Sequence, residues 1–306
     1  VAELSSSKRF YAKRWLSALR EEEAIMTVPA GSFTIGKIQC IPVTDGSCPF
    51  PPCVFFADVP DPELEARGVP TDAINSTFTC LLVSTAKNKV LIDTGAGNLA
   101  PSTGKLLENL AKAGAPAKDI DTVILTHAHP DHIGGAIDAE GKAAFPNARY
   151  LLWKDEWEFW TSENPDLRAM RVPEELKTGL ILATARRCLP PLRKQIELVS
   201  KESEVVPGIH LLRAPGHTPG HMAVAISSEK DAALHIGDAV IHLLLLEQTG
   251  WRPGVDVVPD QAADTRRRLL DRAAADRTKV MAFHFPFPAM GRITPRKSGG
   301  WHWEAA

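Results

Sequence analysis

Thr126-His127-Ala128-His129-Pro130-Asp131-His132-Ile133-Gly134-Gly135 is the stretch on which the reading turns. It follows the apolar run Val123-Ile124-Leu125, whose pattern predicts a buried strand. Residues two apart in an extended backbone point the same way, so His127 and His129 present their imidazoles together. Asp131 and His132 fall in the turn leading into the Gly-Gly pair, where they face a second ion beside the first. Packing does not account for four ligand-type side chains between His127 and His132, and the spacing predicts a metal site.

Three more candidate ligands lie further out, each closing a strand-like run. They are His217 in Ala-Pro-Gly-His-Thr-Pro-Gly-His, Asp238 in Ile-Gly-Asp, and His284 in Met-Ala-Phe-His-Phe-Pro-Phe-Pro. Ligands delivered from separate strand ends are how a rigid scaffold holds a dinuclear centre. Around them the periodicity predicts strands at 32–43, 77–84, 89–93, 122–126 and 149–153, then at 210–213, 222–226, 233–238 and 279–283. Helical patterning covers 103–113, stretches of 154–187, and 261–275. The proline-rich segment 44–71 reads as a long loop. Two strand-rich halves, each closed by helices, imply an α/β chain with a four-layer αββα sandwich. Residues 1–28 form an amphipathic arm and 29–306 one domain.

This pattern resembles the metallo-β-lactamase superfamily, whose signature is His-x-His-x-Asp-His followed by a later His, Asp and His. The resemblance runs over nearly all of 31–291. It implies that His127, His129 and His217 hold one Zn2+, that Asp131, His132 and His284 hold a second, and that Asp238 bridges them. A metal-bridging hydroxide is then the nucleophile, and Asp131 doubles as a proton shuttle. Asp93, in the Asp-Thr-Gly at 93–95, supports the ligands from behind. His221 is expected to brace the turn that carries His217.

Within the superfamily, three segments resemble the methyl parathion hydrolase and N-acyl-homoserine lactonase branch. They are His284-Phe285-Pro286-Phe287-Pro288 with Gly291, Val206-Pro207-Gly208-Ile209, and Phe145-Pro146-Asn147-Ala148. The resemblance implies a hydrolase of small apolar lactones or related carboxylic esters, with a quorum-quenching role. The alternative is a phosphotriesterase or aryl esterase, and a more distant one a mononuclear iron dioxygenase. Lactonases resembling this branch place a tyrosine three residues after the bridging aspartate, whereas this chain has Ile241 there and tyrosines only at Tyr11 and Tyr150. His242 is therefore a candidate proton donor, with a plain surface histidine as the other reading. Phe285 and Phe287, stiffened by alternating prolines, join Leu243, Leu245 and Trp251 as the expected pocket wall. His235 reads as buried structure, and Arg266, Arg267, Arg268 and Asp271 as a solvated helix face.

Composition narrows the partners. With 35 basic against 37 acidic side chains and a net charge of -2, there is no basic surplus to meet a nucleic-acid backbone. No apolar run, 241–246 included, approaches the roughly 20 residues of a membrane span. Five cysteines without a Cys-x-x-Cys pair favour reduced, packed thiols, although Cys48 and Cys53 remain able to pair. The expected compartment is cytoplasmic, with a removed leader left open. Trp15, Leu16 and Leu19 stripe one side of 8–23, so that arm covers either its own domain or the partner of an expected homodimer.

Overall fold

The computed structural model describes residues 31–306. The 1–28 arm, and the homodimer expected from it, lie outside them. Strands β1 (Phe33–Ile35), β2 (Ile38–Phe50), β3 (Ile74–Ser84), β4 (Lys89–Ile92), β5 (Thr122–Ile124), β6 (Arg149–Trp153) and β7 (Ile196–Val199) lie side by side in that order. Pairing is antiparallel from β1 to β4 and parallel from β4 to β7. The inner parallel strands carry apolar runs such as Tyr150-Leu151-Leu152-Trp153, buried on both faces, whereas β7 at the edge exposes Glu197.

The second sheet runs β14 (Trp301–Ala305), β13 (Met290–Pro295), β12 (Lys279–Met281), β11 (Asp231–His235), β10 (Met222–Ser228), β9 (Ile209–Arg213), β8 (Ser203–Val206). Only β11 and β12 pair in parallel. Helices α1 (Asp61–Glu65), α2 (Leu106–Lys112), α3 (Pro130–Ile133), α4 (Lys154–Thr161), α5 (Ala183–Cys188), α6 (Leu244–Glu247) and α7 (Pro259–Ala275) complete the chain. α2 packs on β2, α4 on β6 and β7, and α7 on β13, so each sheet carries its own helices while one apolar cluster joins both.

The expected loop at 44–71 is corrected: its first part continues β2 as far as Phe50. β1 covers β2 only over Ile38–Cys40, so beyond that point one edge of β2 has no strand neighbour among the described residues and accommodates Pro42 and Pro49. The register against β3 slips between Thr44 and Gly46, leaving Asp45 unpaired in the ladder. That bulge turns the Asp45 side chain inward. Its carboxylate accepts from the N–H groups of Ala96 (2.8 Å), Gly104 (3.2 Å) and Leu106 (2.9 Å), fixing the segment that follows β4. Gly46 is obligatory there: at φ +123° a Cβ would lie 2.0 Å from the Ser102 carbonyl. The five cysteines are free thiols. No helix among the described residues is long and apolar enough to cross a membrane.

Because Asp45→Ala strands three amide donors, it should lower unfolding free energy by about 3 kcal/mol. Urea denaturation checks this: a reduced midpoint at unchanged slope is expected, and an unchanged midpoint would mean that water replaces the carboxylate.

Candidate metal centre

Each predicted ligand sits just beyond the C-terminal end of a strand. Asp93 follows β4, the 126–132 segment follows β5, His217 follows β9, Asp238 follows β11 and His284 follows β12. His129 occupies the position before α3, whose first residue is Pro130, so the chain turns sharply and presents Asp131 and His132 beside His127. The structure brings all seven side chains into one place. Ligand atoms of His127, His129 and His217 lie within 4.8 Å of one another, as do those of His127, His132 and Asp238, and those of Asp131, His132 and His284.

Asp238 is the hub. Its Oδ2 lies 3.1 Å from Nε2 of His284, 3.3 Å from that of His132, 3.4 Å from that of His217 and 3.8 Å from that of His127. Oδ2 of Asp131 lies 3.3 Å from Nε2 of His284. The opposite ring nitrogens are held from behind, which fixes each tautomer. Nδ1–H of His132 donates to Asp93 (2.8 Å), that of His217 to Asp256 (2.8 Å), that of His127 to the Thr126 hydroxyl (3.1 Å) and that of His284 to the Thr77 carbonyl (3.2 Å).

These residues fit a bound cation. Nε2 of His127 and His132 and Oδ1 of Asp238 are buried without a hydrogen-bond partner, and Nδ1 of His129 faces Nε2 of His217 at 2.9 Å. Converging buried lone pairs are costly until a positive charge lies among them. Burial and the neighbouring imidazoles hold His127 and His129 well below the usual histidine range, in the neutral form that binds metal. Burial works against the charge on Asp238, but the His132 and His284 imidazoles hold its carboxyl well below the usual carboxylate range. Asp93 adopts φ 61°, a conformation rare for an aspartate, while accepting from Thr126 N–H, the Thr126 hydroxyl and His132. His221 donates Nδ1–H to the Ala214 carbonyl and accepts the Asp238 N–H at Nε2 (2.9 Å), bracing both loops.

Three supporting residues escaped the sequence reading. The fully buried Glu156 on α4 accepts from Ala128 N–H, Gly220 N–H and the Trp160 indole, tying the 126–132 segment to the His217 turn. Nothing in Lys154-Asp155-Glu156-Trp157-Glu158 separates it from its acidic neighbours. Asp256, buried behind His217, stands alone among apolar neighbours in Val255-Asp256-Val257-Val258, which was a usable signal. Arg266 is corrected from a solvated position to a buried one, at 3% exposure. It sits at helical spacing from Ala262, Leu269, Leu270 and Ala273, so the periodicity of α7 had already placed it on the inner face.

Beside Asp131, Asp238 and His284 opens a cavity of ≈ 50 Å³ with a predominantly apolar wall. Phe50, Val54 and Phe55 form one side and Ile241 another; Leu176, Leu180 and Ile181 close it from a π-wound turn at Glu175–Leu182. The expected wall is therefore corrected. Phe285 is buried against Trp303, with ring centroids 4.9 Å apart, and Phe287 is 44% exposed. Leu245 is fully buried, and neither it, Leu243 nor Trp251 borders the cavity; Trp251 packs on Phe56. His242 is half-buried and does not border the cavity. It is packed edge-on against Phe56 and Phe55 and accepts the Leu244 N–H at Nδ1. The Tyr150 phenol lies elsewhere, between Phe145 N–H and the Ala136 carbonyl.

A profile of the metallo-beta-lactamase superfamily matches residues 78–284. N-acyl homoserine lactonase of Bacillus cereus is 26% identical over 181 residues, covering 53% of this chain and 62% of that protein. That of a Bacillus sp is 28% identical over 188 residues, covering 52% and 65%. The chain thus spans just under two thirds of the length of these curated relatives. Among solved structures, AidC, a dizinc quorum-quenching lactonase in complex with a product, superposes with a TM-score of 0.82 at 28% identity, over 90% of this chain and 96% of that one. The hydrolase AbOPH of the beta lactamase superfamily superposes with a TM-score of 0.80 at 24% identity over the same shares, a likeness of fold.

Burial pushes His242 down to about 4, so the unfolded chain takes up a proton from about 6.5 downward that the folded chain refuses. Stability is therefore full above that range and falls as pH drops towards about 4, by up to about 3 kcal/mol from this residue. His242→Phe should shallow the urea-stability slope over that window; an unaltered slope would show that His242 is already protonated in the folded protein.

Proposed function

The chain belongs to the metallo-β-lactamase superfamily, and on that premise we propose that it is a dinuclear zinc hydrolase that opens lactones bearing an apolar arm, of the N-acyl-homoserine lactone kind. One observation carries the reading: the seven converging ligands open directly onto a small, largely apolar cavity that no Lys or Arg among the described residues lines. Similarity to a dizinc lactonase over nearly the whole of both chains supports the substrate class.

His127, His129 and His217 would hold one ion and Asp131, His132 and His284 the other, with the Asp238 carboxylate between them. Two such ions, when bound, polarise a carbonyl and bring the pKa of water towards ~7. The chain itself does the rest. The supports behind the imidazoles keep their lone pairs aimed inward, so binding needs little reorganisation. Asp131 has one oxygen towards His284 and borders the cavity, which supports the reading that its carboxylate carries a proton to the departing ring oxygen. No tyrosine lines the cavity among the described residues, so that transfer does not need a phenol. Phe50, Phe55 and Leu180 exclude water from the acyl arm and offer nothing to a charged one.

Zinc-reconstituted protein should carry two ions per chain by elemental analysis, and His284→Ala fewer. Asp238→Ala should cost more activity than loss of any single histidine, because it removes the carboxylate that faces both ligand groups. A hydrolysis panel separates the chemistries: lactones should turn over fastest, ahead of aryl esters, phosphotriesters and β-lactams. Faster turnover of a phosphotriester would overturn the reading.

Leu180 also borders a neighbouring hollow of ≈ 620 Å³, together with Leu99 and Pro130. Leu180→Ala should therefore move the preference towards long acyl arms by about 10-fold in relative kcat/KM. An unmoved chain-length profile would show that the acyl arm leaves the cavity in another direction.

A further inference from the structure

A guanidinium on the inner face of a helix is costly unless its donors are used. Arg266 of α7 uses them on the turn that bears Asp238 and on the segment that backs His217. Nε donates to the Ala239 carbonyl (2.9 Å), Nη1 donates to the Trp251 carbonyl (3.1 Å), and Nη2 lies 3.7 Å from Oδ2 of Asp256. Ala239 is the residue after Asp238, whose backbone sits at φ -99° and ψ 21° inside a tight turn. Asp256 binds Nδ1–H of His217 through Oδ1, and its Oδ2 is buried without a hydrogen-bond partner, so the guanidinium is the compensating charge at that end. A single side chain thus fixes the peptide behind Asp238 and the carboxylate behind His217.

We infer that Arg266 is a positioning residue that sets how tightly, and in what geometry, the ion of His127, His129 and His217 is held. The inference rests on the reading that this triad binds metal. Its physical basis is twofold. The two carbonyl bonds hold the Asp238 turn at a set separation from the segment that runs from Trp251 to Asp256, which backs His217. The positive charge beside Asp256 limits how far that carboxylate draws the Nδ1 proton, and so how strong a donor Nε2 of His217 becomes.

Zinc competition with a chelator, and the visible spectrum of the cobalt(II)-substituted protein, test it without recourse to turnover. Arg266→Met should weaken one of the bound zinc ions by about 10- to 100-fold and alter the cobalt bands. Arg266→Lys keeps the charge but cannot make both carbonyl bonds, so its loss should be smaller. Asp256→Asn should weaken the same ion, and the double variant Arg266→Met/Asp256→Asn should lose less than the product of the two single losses, because the residues act through one another. Should Arg266→Met fail to fold, Arg266→Lys and Asp256→Asn carry the same readouts. A parent chain that takes up neither zinc nor cobalt overturns the functional reading. A parent that binds both, with variants matching it in affinity and spectrum while only thermal stability falls, overturns the inference and leaves Arg266 as packing.

Discussion

A carboxylate held among four imidazoles is the constraint on which the rest depends. Asp238 is 3% exposed, and its Oδ2 has four Nε2 atoms within 3.8 Å. Such a cluster cannot collapse into an apolar core, because its lone pairs are desolvated and converge on the same space. Its cost falls when the scaffold holds the rings rigidly from behind and a cation can lie at their focus. The sheets, the tight turns and the buried acids around the centre all serve that geometry.

The supports come from elements distant in sequence. Glu156 on α4 ties the 126–132 segment to the His217 turn, and burial pushes its carboxyl up against the hydrogen bonds that hold it down. Asp45 arrives from a bulge in β2 and organises the segment after β4, where Asp93 begins. Arg266 reaches in from α7, at the other side of the chain's order. A centre braced this way is preorganised: the ligands need not move far to bind metal, so less of the binding energy is lost to ordering.

The cavity follows a different rule. Much of its wall comes from the start of the 51–73 connection and from the π-wound turn at Glu175–Leu182, segments with little strand or α-helix character. π-wound turns are rare and recur at functional sites, because the extra residue per turn bulges side chains outward. Here Leu176, Leu180 and Ile181 are brought together over Asp131 and Asp238. The ligands therefore lie at strand ends, where the sheet fixes position, while much of the cavity wall lies on irregular backbone that tolerates change.

The α/β class, most strands and all seven converging side chains were legible in the sequence, because each signal is local. Alternation and apolar runs mark strands such as β3 and β6, and His127, His129, Asp131 and His132 share six consecutive positions. Arg266 was legible too, through its phase on α7, although its charge argued for solvent. The extension of β2 through Pro42 and Pro49 was not, since whether a proline is tolerated depends on which edge a neighbour covers. Nor was the cavity wall: Phe285 and Phe287 flank a ligand in sequence, yet one ring turns to Trp303 and the other to solvent. The sequence alone determined which residue types could hold metal, because donor chemistry belongs to the side chain. Only the tertiary structure decided what braces them and what lines the cavity, because contacts between segments a hundred residues apart are set by how sheets and helices pack, and not by any periodicity within them.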